Sequence, residues 1–276
     1  MFPRRVEPSS EEVLSIVIQR QSIIQLISTD SYTKPQLVDQ LDVSRSTVDR
    51  ALRELEQYSL MNKNDSQYTL NPYGRFIYQT CIYYHDVIKK SLELWDIRND
   101  IHSSGQVPPN VLYDSEIFVP TESIPDLPAK KLFEMIESIL SLHLVLPVLT
   151  YRIYDNLHQF VSDEDSSLEL ILPPEGIQSL RQFEDERCIE ESTLITDATN
   201  IPPYGFGVYE DADRNKQMNI IIFSNNGVCG LIQNSSRMST FWGEQKYENI
   251  NHSSEGTDEI VEPAESSGNE ISEISE

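Results

Sequence analysis

The apolar residues Val13, Ile16, Val17, Ile24 and Ile27 fall on one face at helical period. They predict a single amphipathic helix from Ser10 to about Ser28, with Ser10 as cap and Glu11 and Glu12 in the first turn. Asp30 to Thr33 is a polar break, and Pro35 suits the first turn of a second helix whose short apolar face is Leu37, Val38 and Leu41. Asp42-Val43 is a tight connection. Ser44 then caps a third helix with Val48, Ala51, Leu52 and Leu55 as its buried stripe. Two short strands, Leu60–Lys63 and Gln67–Leu70, flank the turn residues Asn64-Asp65-Ser66. Asn71-Pro72 caps a long helix predicted from Tyr73 to Ile101. Its apolar positions Ile77, Cys81, Tyr84, Ile88 and Trp95, interrupted by Ser91, form an a/d seam. Such a seam serves a second copy of the chain or packs on the chain itself.

Beyond Ser103-Ser104-Gly105 and Pro108-Pro109 the pattern changes to alternating strands and helices through residue 250. The expected helices are Ala129–Leu142, Arg152–Phe160, Glu175–Phe183 and Arg237–Glu248. The expected strands are Val145–Leu149, Leu168–Leu172, Thr193–Thr196, Tyr204–Tyr209, Met218–Phe223 and Gly227–Gln233. The last three, joined by Asp211-Ala212-Asp213 and Asn225-Asn226-Gly227, read as antiparallel neighbours. The expected fold class is therefore α/β and multi-domain. Residues 1–72 form a winged helix-turn-helix, 73–102 a connecting helix, 111–250 an α/β sensor-like domain, and 251–276 a disordered acidic tail.

Charge sharpens this picture. The 276 residues carry 45 acidic and 21 basic side chains, a net of −24, which excludes a basic nucleic-acid coat over the whole chain. Residues 1–100 hold 12 basic and 14 acidic residues, so nearly all the excess lies beyond them. From residue 251 onward the chain is mostly Ser, Glu, Asn, Gly and Pro, a composition that cannot bury enough apolar area to offset its ordering entropy. The acidic bias suits either a solvating tail on an ordinary protein or a surface built for a high-salt cytoplasm. Only 8 of the 21 basic residues are lysine, which fits the latter. No run approaches the ~18–20 apolar residues that span a bilayer. The two arginines near the N-terminus have no apolar stretch behind them, so no secretory signal is expected. The expectation is a cytoplasmic protein without membrane contact.

Residues 34–55 carry the chemistry. A helix, a short turn, a capped second helix and a hairpin make a helix-turn-helix with a wing, whose second helix enters the major groove. Its free face shows Arg45, Ser46, Asp49, Arg50 and Arg53. Ser44, Ser46 and Thr47 lie at the helix N-terminus, where N–H groups and hydroxyls hold phosphate. Arg45, Arg50 and Arg53 have the reach and fork geometry for base edges or phosphates, and Lys63 stands beside the wing turn. Residues 34–75 balance six basic against six acidic residues, so the field around this surface is neutral.

The run from Leu37 to Leu55, LVDQLDVSRSTVDRALREL, resembles the DNA-reading segment of archaeal winged-helix transcription regulators, especially those of haloarchaea. The run from Tyr68 to Arg75, YTLNPYGR, resembles their wing exit. The later half resembles the sensor domain of the methanogenesis regulatory protein type. The matching segments are Pro147 to Arg152, Leu170 to Glu175 and Pro203 to Val208. The resemblance covers about residues 10–250 and implies a transcription regulator with double-stranded DNA as partner. It also implies a homodimer and an effector of unknown identity.

Other chemistry is thin. His85, His102, His143, His158 and His252 have no helical partner at i+4 and no nearby cysteine pair, so no metal and no cofactor is expected. Cys81, Cys188 and Cys229 are too scattered for a disulfide framework. The sensor-like half is similar to the phospholipase-D-like fold but lacks its His-x-Lys-x-x-x-x-Asp motif, and no nucleophile elbow or phosphate loop appears. No enzyme is expected. Thr150 and Arg152 follow a predicted strand end, where α/β sheets place ligands. They are candidate effector contacts, and Arg152 can equally be a surface residue that starts a helix. The alternative to a DNA-reading regulator is an adaptor of the transcription machinery that uses the winged helix and the acidic surface for protein contacts.

Overall fold

The computed structural model describes residues 8–101, 107–162, 166–182, 193–198 and 200–254. The chain divides into two compact units. The first is Met1–Asp96 with Val107–Ile117, and the second is Ile97–Gln106 with Phe118–Glu276.

The first unit opens with α1 (Ser10–Gln19) and α2 (Gln21–Thr29), where the sequence suggested one helix. The cap is Ser9, one residue before the expected Ser10. Its Oγ accepts from the Glu12 amide at 3.2 Å while Glu12 accepts from the Ser9 amide at 3.1 Å. Arg20 leaves helical geometry at φ −109° and ψ 14°, and its guanidinium then reaches Glu54 at 2.7 Å. The helices α3 (Lys34–Leu41) and α4 (Arg45–Gln57) follow. Asp42, at φ +50°, closes α3 in the left-handed region that a short acidic side chain tolerates.

The hairpin β2 (Met61–Asn64) and β3 (Gln67–Leu70) turns through Asp65 and Ser66, both at positive φ as a type I′ turn requires. The short β1 (Tyr32–Thr33) pairs with β3, so the sheet runs β1–β3–β2. Val17, Ile24, Ile27, Leu37, Val48, Ala51, Leu52, Leu55, Leu60 and Leu70 fill one core. These four helices with their small sheet are consistent with a winged-helix-type fold.

The helix α5 (Pro72–Glu93) begins at Asn71, whose Oδ1 accepts from the Gly74 amide at 2.7 Å. It ends at Glu93, with a 3₁₀ turn at Trp95–Ile97, and does not continue to Ile101 as expected. Gly74 packs so closely on the Leu60 carbonyl that a Cβ there would overlap it. Ile77, Tyr78 and Cys81 pack on the winged-helix core. The second half of α5 docks elsewhere. Val87 is buried, Tyr83 meets Tyr113 with ring centroids 4.8 Å apart, and Asp86 accepts from the Asp114 amide at 3.0 Å. Val111, on the short α6 (Pro109–Leu112), is fully buried beneath this contact. The predicted a/d seam divides: Ile77 and Cys81 pack on the winged-helix core of their own chain, while Tyr84, Ile88 and Trp95 remain exposed.

The short β4 (Glu116–Phe118) straddles the division between the units. Wholly within the second unit lie β5 (Ile139–Val145), β6 (Ser167–Leu172), β7 (Thr193–Asp197), β8 (Gly205–Asp211), β9 (Lys216–Ser224) and β10 (Gly227–Asn234). Their order in the sheet is β10–β9–β8–β5–β6–β7. The β5, β6 and β7 ladders are parallel, and those joining β5, β8, β9 and β10 are antiparallel, as the turn clusters foretold for the last three.

One face carries α7 (Leu127–Ile136) and α8 (Tyr151–Val161), whose Leu132, Ile136, Ile153 and Leu157 pack on Leu142, Leu144, Leu170 and Ile221. The other face carries the final helix α10 (Arg237–Ser254), where Trp242 meets Phe206 and a Cβ at Gly243 would strike Val208 and Met218. The small helix α9 (Pro174–Leu180) follows β6.

Residues 139–142, expected as helix, are strand, and 146–149, expected as strand, are a loop. Ile139, Leu142, Leu144 and Val145 bury themselves in a strand that carries a register irregularity between Ile139 and Ser141, which blurs its period of two. The expected acidic tail begins later than residue 251, because α10 runs through Ser254; the remainder lies outside the described residues, as do Phe183, Cys188 and His102.

Candidate nucleic-acid interface

The amphipathic pattern of α4 sets its orientation. Val48, Ala51, Leu52 and Leu55 are buried, which leaves Arg45, Ser46, Thr47, Arg50 and Arg53 exposed. Ser44 is the N-cap and accepts from the Thr47 amide at 3.2 Å. Its Oγ also lies 2.8 Å from the hydroxyls of both Ser46 and Thr47. Three hydroxyls thus converge on the positive end of the helix dipole, where backbone N–H groups point outward. A phosphate fits that chemistry.

Two acids on α4, Asp49 and Glu54, are engaged by cations. Asp49 pairs with Lys34. The Lys34 hydrogen bond, with Arg45 and Arg53 nearby, holds the Asp49 carboxyl below its ordinary range. The same bond raises Lys34. Glu54 is held low by Arg20, which grips it through two nitrogens at 2.7 and 3.3 Å, with Arg50 and Arg53 adding attraction. Arg53 donates from Nε to the Asp49 carbonyl at 3.1 Å, so it is partly committed to its own helix. Arg45 and Arg50 project at the exposed surface. Sequence reading missed Lys34 as part of this face, since only the fold brings it beside Asp49.

The wing carries Lys63, exposed on β2, with its ammonium 5.8 Å from the Tyr68 ring centroid. The structure brings Ser44, Arg45, Ser46, Thr47, Arg50 and Arg53 onto one helix and leaves Lys63 on the adjoining hairpin.

The second unit places the effector candidates at the start of α8. Thr150 is its N-cap and accepts from the Ile153 amide at 3.4 Å. Arg152 is exposed, stacks over the Phe133 ring at 4.9 Å and lies 3.8 Å from Asp126. An anion at Arg152 would compete with Asp126. A separate open recess of about 260 Å³ is lined by residues that include Lys131, Glu134, Tyr209, Asp211, Gln217 and Gln233, none of them a site candidate from sequence. The Tyr209 hydroxyl already meets Gln217 there at 2.8 Å. Among the described residues no group of three His, Cys, Asp or Glu could hold a metal ion, and no helix is long and apolar enough to cross a membrane. Burial raises the Cys81 thiol, and pushes that of Cys229 up to about 11 with Asp100 adding repulsion, so neither is poised for reaction.

No curated protein matches the chain. Among solved structures, TrmBL2, described as an archaeal chromatin protein with a novel mode of DNA binding, aligns over 87% of this chain and 97% of its own at 10% identity and a TM-score of 0.38. NucT from Helicobacter pylori aligns over 51% of this chain and 96% of its own, at 15% identity and a TM-score of 0.36. Nuc from Salmonella typhimurium, a phospholipase D family member, covers 50% and 94% at 9% identity and a TM-score of 0.36. The family model of the HVO_A0261 N-terminal domain matches residues 9–92, the stretch that holds α1 to α4, the wing and nearly all of α5.

Proposed function

We propose that this protein is a sequence-specific DNA-binding transcription regulator of the haloarchaeal winged-helix type. In this reading α4 enters the major groove, with Arg45 and Arg50 at base edges and Arg53 on the flank. Ser44, Ser46 and Thr47 hold a phosphate at the helix N-terminus, and Lys63 on the wing holds another. The second unit senses an effector, with Thr150 and Arg152 as first candidates, or mediates assembly. The protein binds and does not catalyse. A homodimer belongs to this reading, since helix-turn-helix proteins commonly read two half-sites.

One observation carries the proposal: α4 buries its apolar stripe completely and presents a hydroxyl-capped, arginine-bearing face with a wing beside it. The test is selection of duplexes from a randomised pool in molar KCl, by the intact protein and by the Arg45→Ala, Arg50→Ala variant. A consensus recovered only by the intact protein supports the reading, and a pool that stays random with both overturns it.

The balance of six basic and six acidic residues over 34–75 favours one other reading, an adaptor that docks the winged helix on a protein of the transcription machinery. That reading predicts no selected duplex.

A further inference from the structure

Asn219, in the middle of β9, is 1% exposed, and among the described residues neither its Oδ1 nor its Nδ2 has a hydrogen-bond partner. A buried carboxamide without partners is destabilising, and natural cores keep few of them. This one shares the sheet face that packs beneath α7 and α8 with Ile221 and Phe223. Across the sheet it lies opposite Gly207 on β8 and Gln233 on β10, and Gly207 lies opposite Leu144 on β5. Gly207 places no side chain there, and a small cavity of about 10 Å³ adjoins it. Leu132, Ile136, Leu144, Ile153 and Ile221 are among the aliphatic walls, and Asn219 is the only polar side chain that lines it.

Met135 lines this cavity and also the open recess of about 260 Å³, so it stands as the partition between them. On the recess side, Tyr209 and Gln217 are two residues along their strands from Gly207 and Asn219 and therefore on the same face. Gln233 is the direct cross-strand neighbour of Asn219. A polar track thus leads from solvent to the buried carboxamide. The side chain that closes it is unbranched and flexible.

We infer that recess and cavity are one ligand site, entered past Met135, for a small uncharged molecule with an aliphatic body and a primary amide head. The Asn219 carboxamide offers an acceptor and donors side by side, and a primary amide presents the same pair reversed. No charged side chain lines the cavity, and Lys131 in the recess is held by Glu134 at 2.8 Å. An ionised head would therefore lose its hydration without a counter-charge. Water meets its needs poorly here, because it seeks roughly two to four polar partners and Asn219 is the one side chain that offers any. The recess falls below the ~300–1,000 Å³ of pockets for drug-sized ligands, so the molecule is smaller than those. The site uses neither Thr150 nor Arg152.

The inference rests on the proposed sensing role of the second unit, but its test is binding and needs no DNA. Isovaleramide titrated into the intact protein should shift the side-chain amide NMR signals of Asn219 and the methyl signal of Met135 together, to saturation. Isovalerate, the same carbon skeleton with a charged head, should bind about tenfold more weakly or worse. Asn219→Leu, close in shape, should keep or raise the melting temperature, since no partner is lost. It should weaken isovaleramide binding by about tenfold or more, because the head is then buried unpaired. Isovaleramide that leaves the Asn219 signals of the intact protein unmoved overturns the inference, with water as the only partner of the carboxamide. So does equal binding by the intact protein and the variant, or tighter binding of isovalerate. If the amide binds at Asn219 and DNA affinity stays unchanged, the site stands and the sensing reading fails. An effector that changes DNA affinity without moving Asn219 leaves sensing in place and removes this site.

Discussion

Lys34, the first residue of α3, closes an ion pair on Asp49, which projects from the middle of α4. The pair joins both helices of the reading head and removes an acid from a face proposed to meet phosphate. Its halves should therefore act with opposite sign on DNA. Asp49→Asn should tighten binding and steepen the salt dependence by about 0.9 in log–log slope, as Lys34 becomes available to a phosphate. Lys34→Ala should weaken binding, because the carboxylate it leaves behind repels the backbone. A salt series on both variants measures this, and a loss of the same size in each would remove the pair from the interface.

Base readout and backbone contact separate at Arg45, Arg50 and Lys63. Arg45→Ala or Arg50→Ala should cost about 1–3 kcal/mol against the preferred duplex and blunt discrimination at one base pair. Lys63→Ala should weaken all duplexes alike and lower the salt slope by about 0.9. Competition titrations with single-base variants of the selected site distinguish the two patterns.

Two serines cap helices in the same unit, and only one stands on the proposed interface. Ser44→Ala and Ser9→Ala should each lower stability by about 1 kcal/mol in urea unfolding, since each loses a cap. Only Ser44→Ala should also weaken DNA binding, because it breaks the hydroxyl cluster with Ser46 and Thr47. Equal DNA affinity in the two variants would place the phosphate elsewhere.

Arg20 and Glu54 give the first unit an acid-sensitive tie. Arg20 holds the Glu54 carboxyl below its ordinary 4.5, so the folded state binds this proton less readily than the unfolded chain does. The resulting stability is present above about pH 4.5 and is lost as pH falls through the lower folded value. The pair is partly exposed, so Arg20→Ala should cost only about 1 kcal/mol at neutral pH. The cost should vanish in strong acid. Urea midpoints between pH 7 and pH 2 test the convergence, and a gap that persists to pH 2 would assign the loss to packing.

Glu255 to Glu276 carries eight acidic residues and no basic one. Removing this stretch, which leaves α10 whole, should strengthen DNA binding at about 0.01 M salt, where the Debye length is roughly 30 Å. It should change little at 1 M, where that length is about 3 Å. With a neutral reading region, the intact protein should lose affinity only shallowly as salt rises. Steep loss with salt would contradict this, and so would a deletion that weakens binding at every salt.

The reading helix was legible because its signals agree. Ser44 caps it, and Val48, Ala51, Leu52 and Leu55 recur at helical period; the structure buries all four. The break at Arg20 was not, since neither Gly nor Pro marks it and the bond to Glu54 that accompanies it is 34 residues distant. Residues 139–142 misled because Ile139 and Leu142 continue the helical spacing of Leu132 and Ile136. Only pairing with β6 and β8 makes them strand. The α5 stripe was legible only in part, for a similar reason: Tyr84, Ile88 and Trp95 are exposed, while Ile77 and Cys81 are packed. Apolar spacing shows that a helix has apolar sides but not which is taken, and here two separate dockings take Ile77, Cys81 and Val87. Lys34 beside Asp49 is likewise a product of the turn between α3 and α4 and has no local signature.

Gly74 sits against the Leu60 carbonyl with no room for even a methyl group, while Asn71 ties to Ser59 and Leu60 through side chain and backbone. The wing and the long helix are thereby welded at the joint where many proteins keep a hinge. In the proposed homodimer, reading heads fixed to α5 in this way would behave as the jaws of a caliper. Such a pair cannot swivel to follow DNA whose half-sites are respaced. One inserted base pair turns the second site by about a tenth of a helical turn, out of reach of a jaw set for one repeat of the groove. Selectivity would then reside in distance as much as in sequence, fixed by a glycine that touches no DNA.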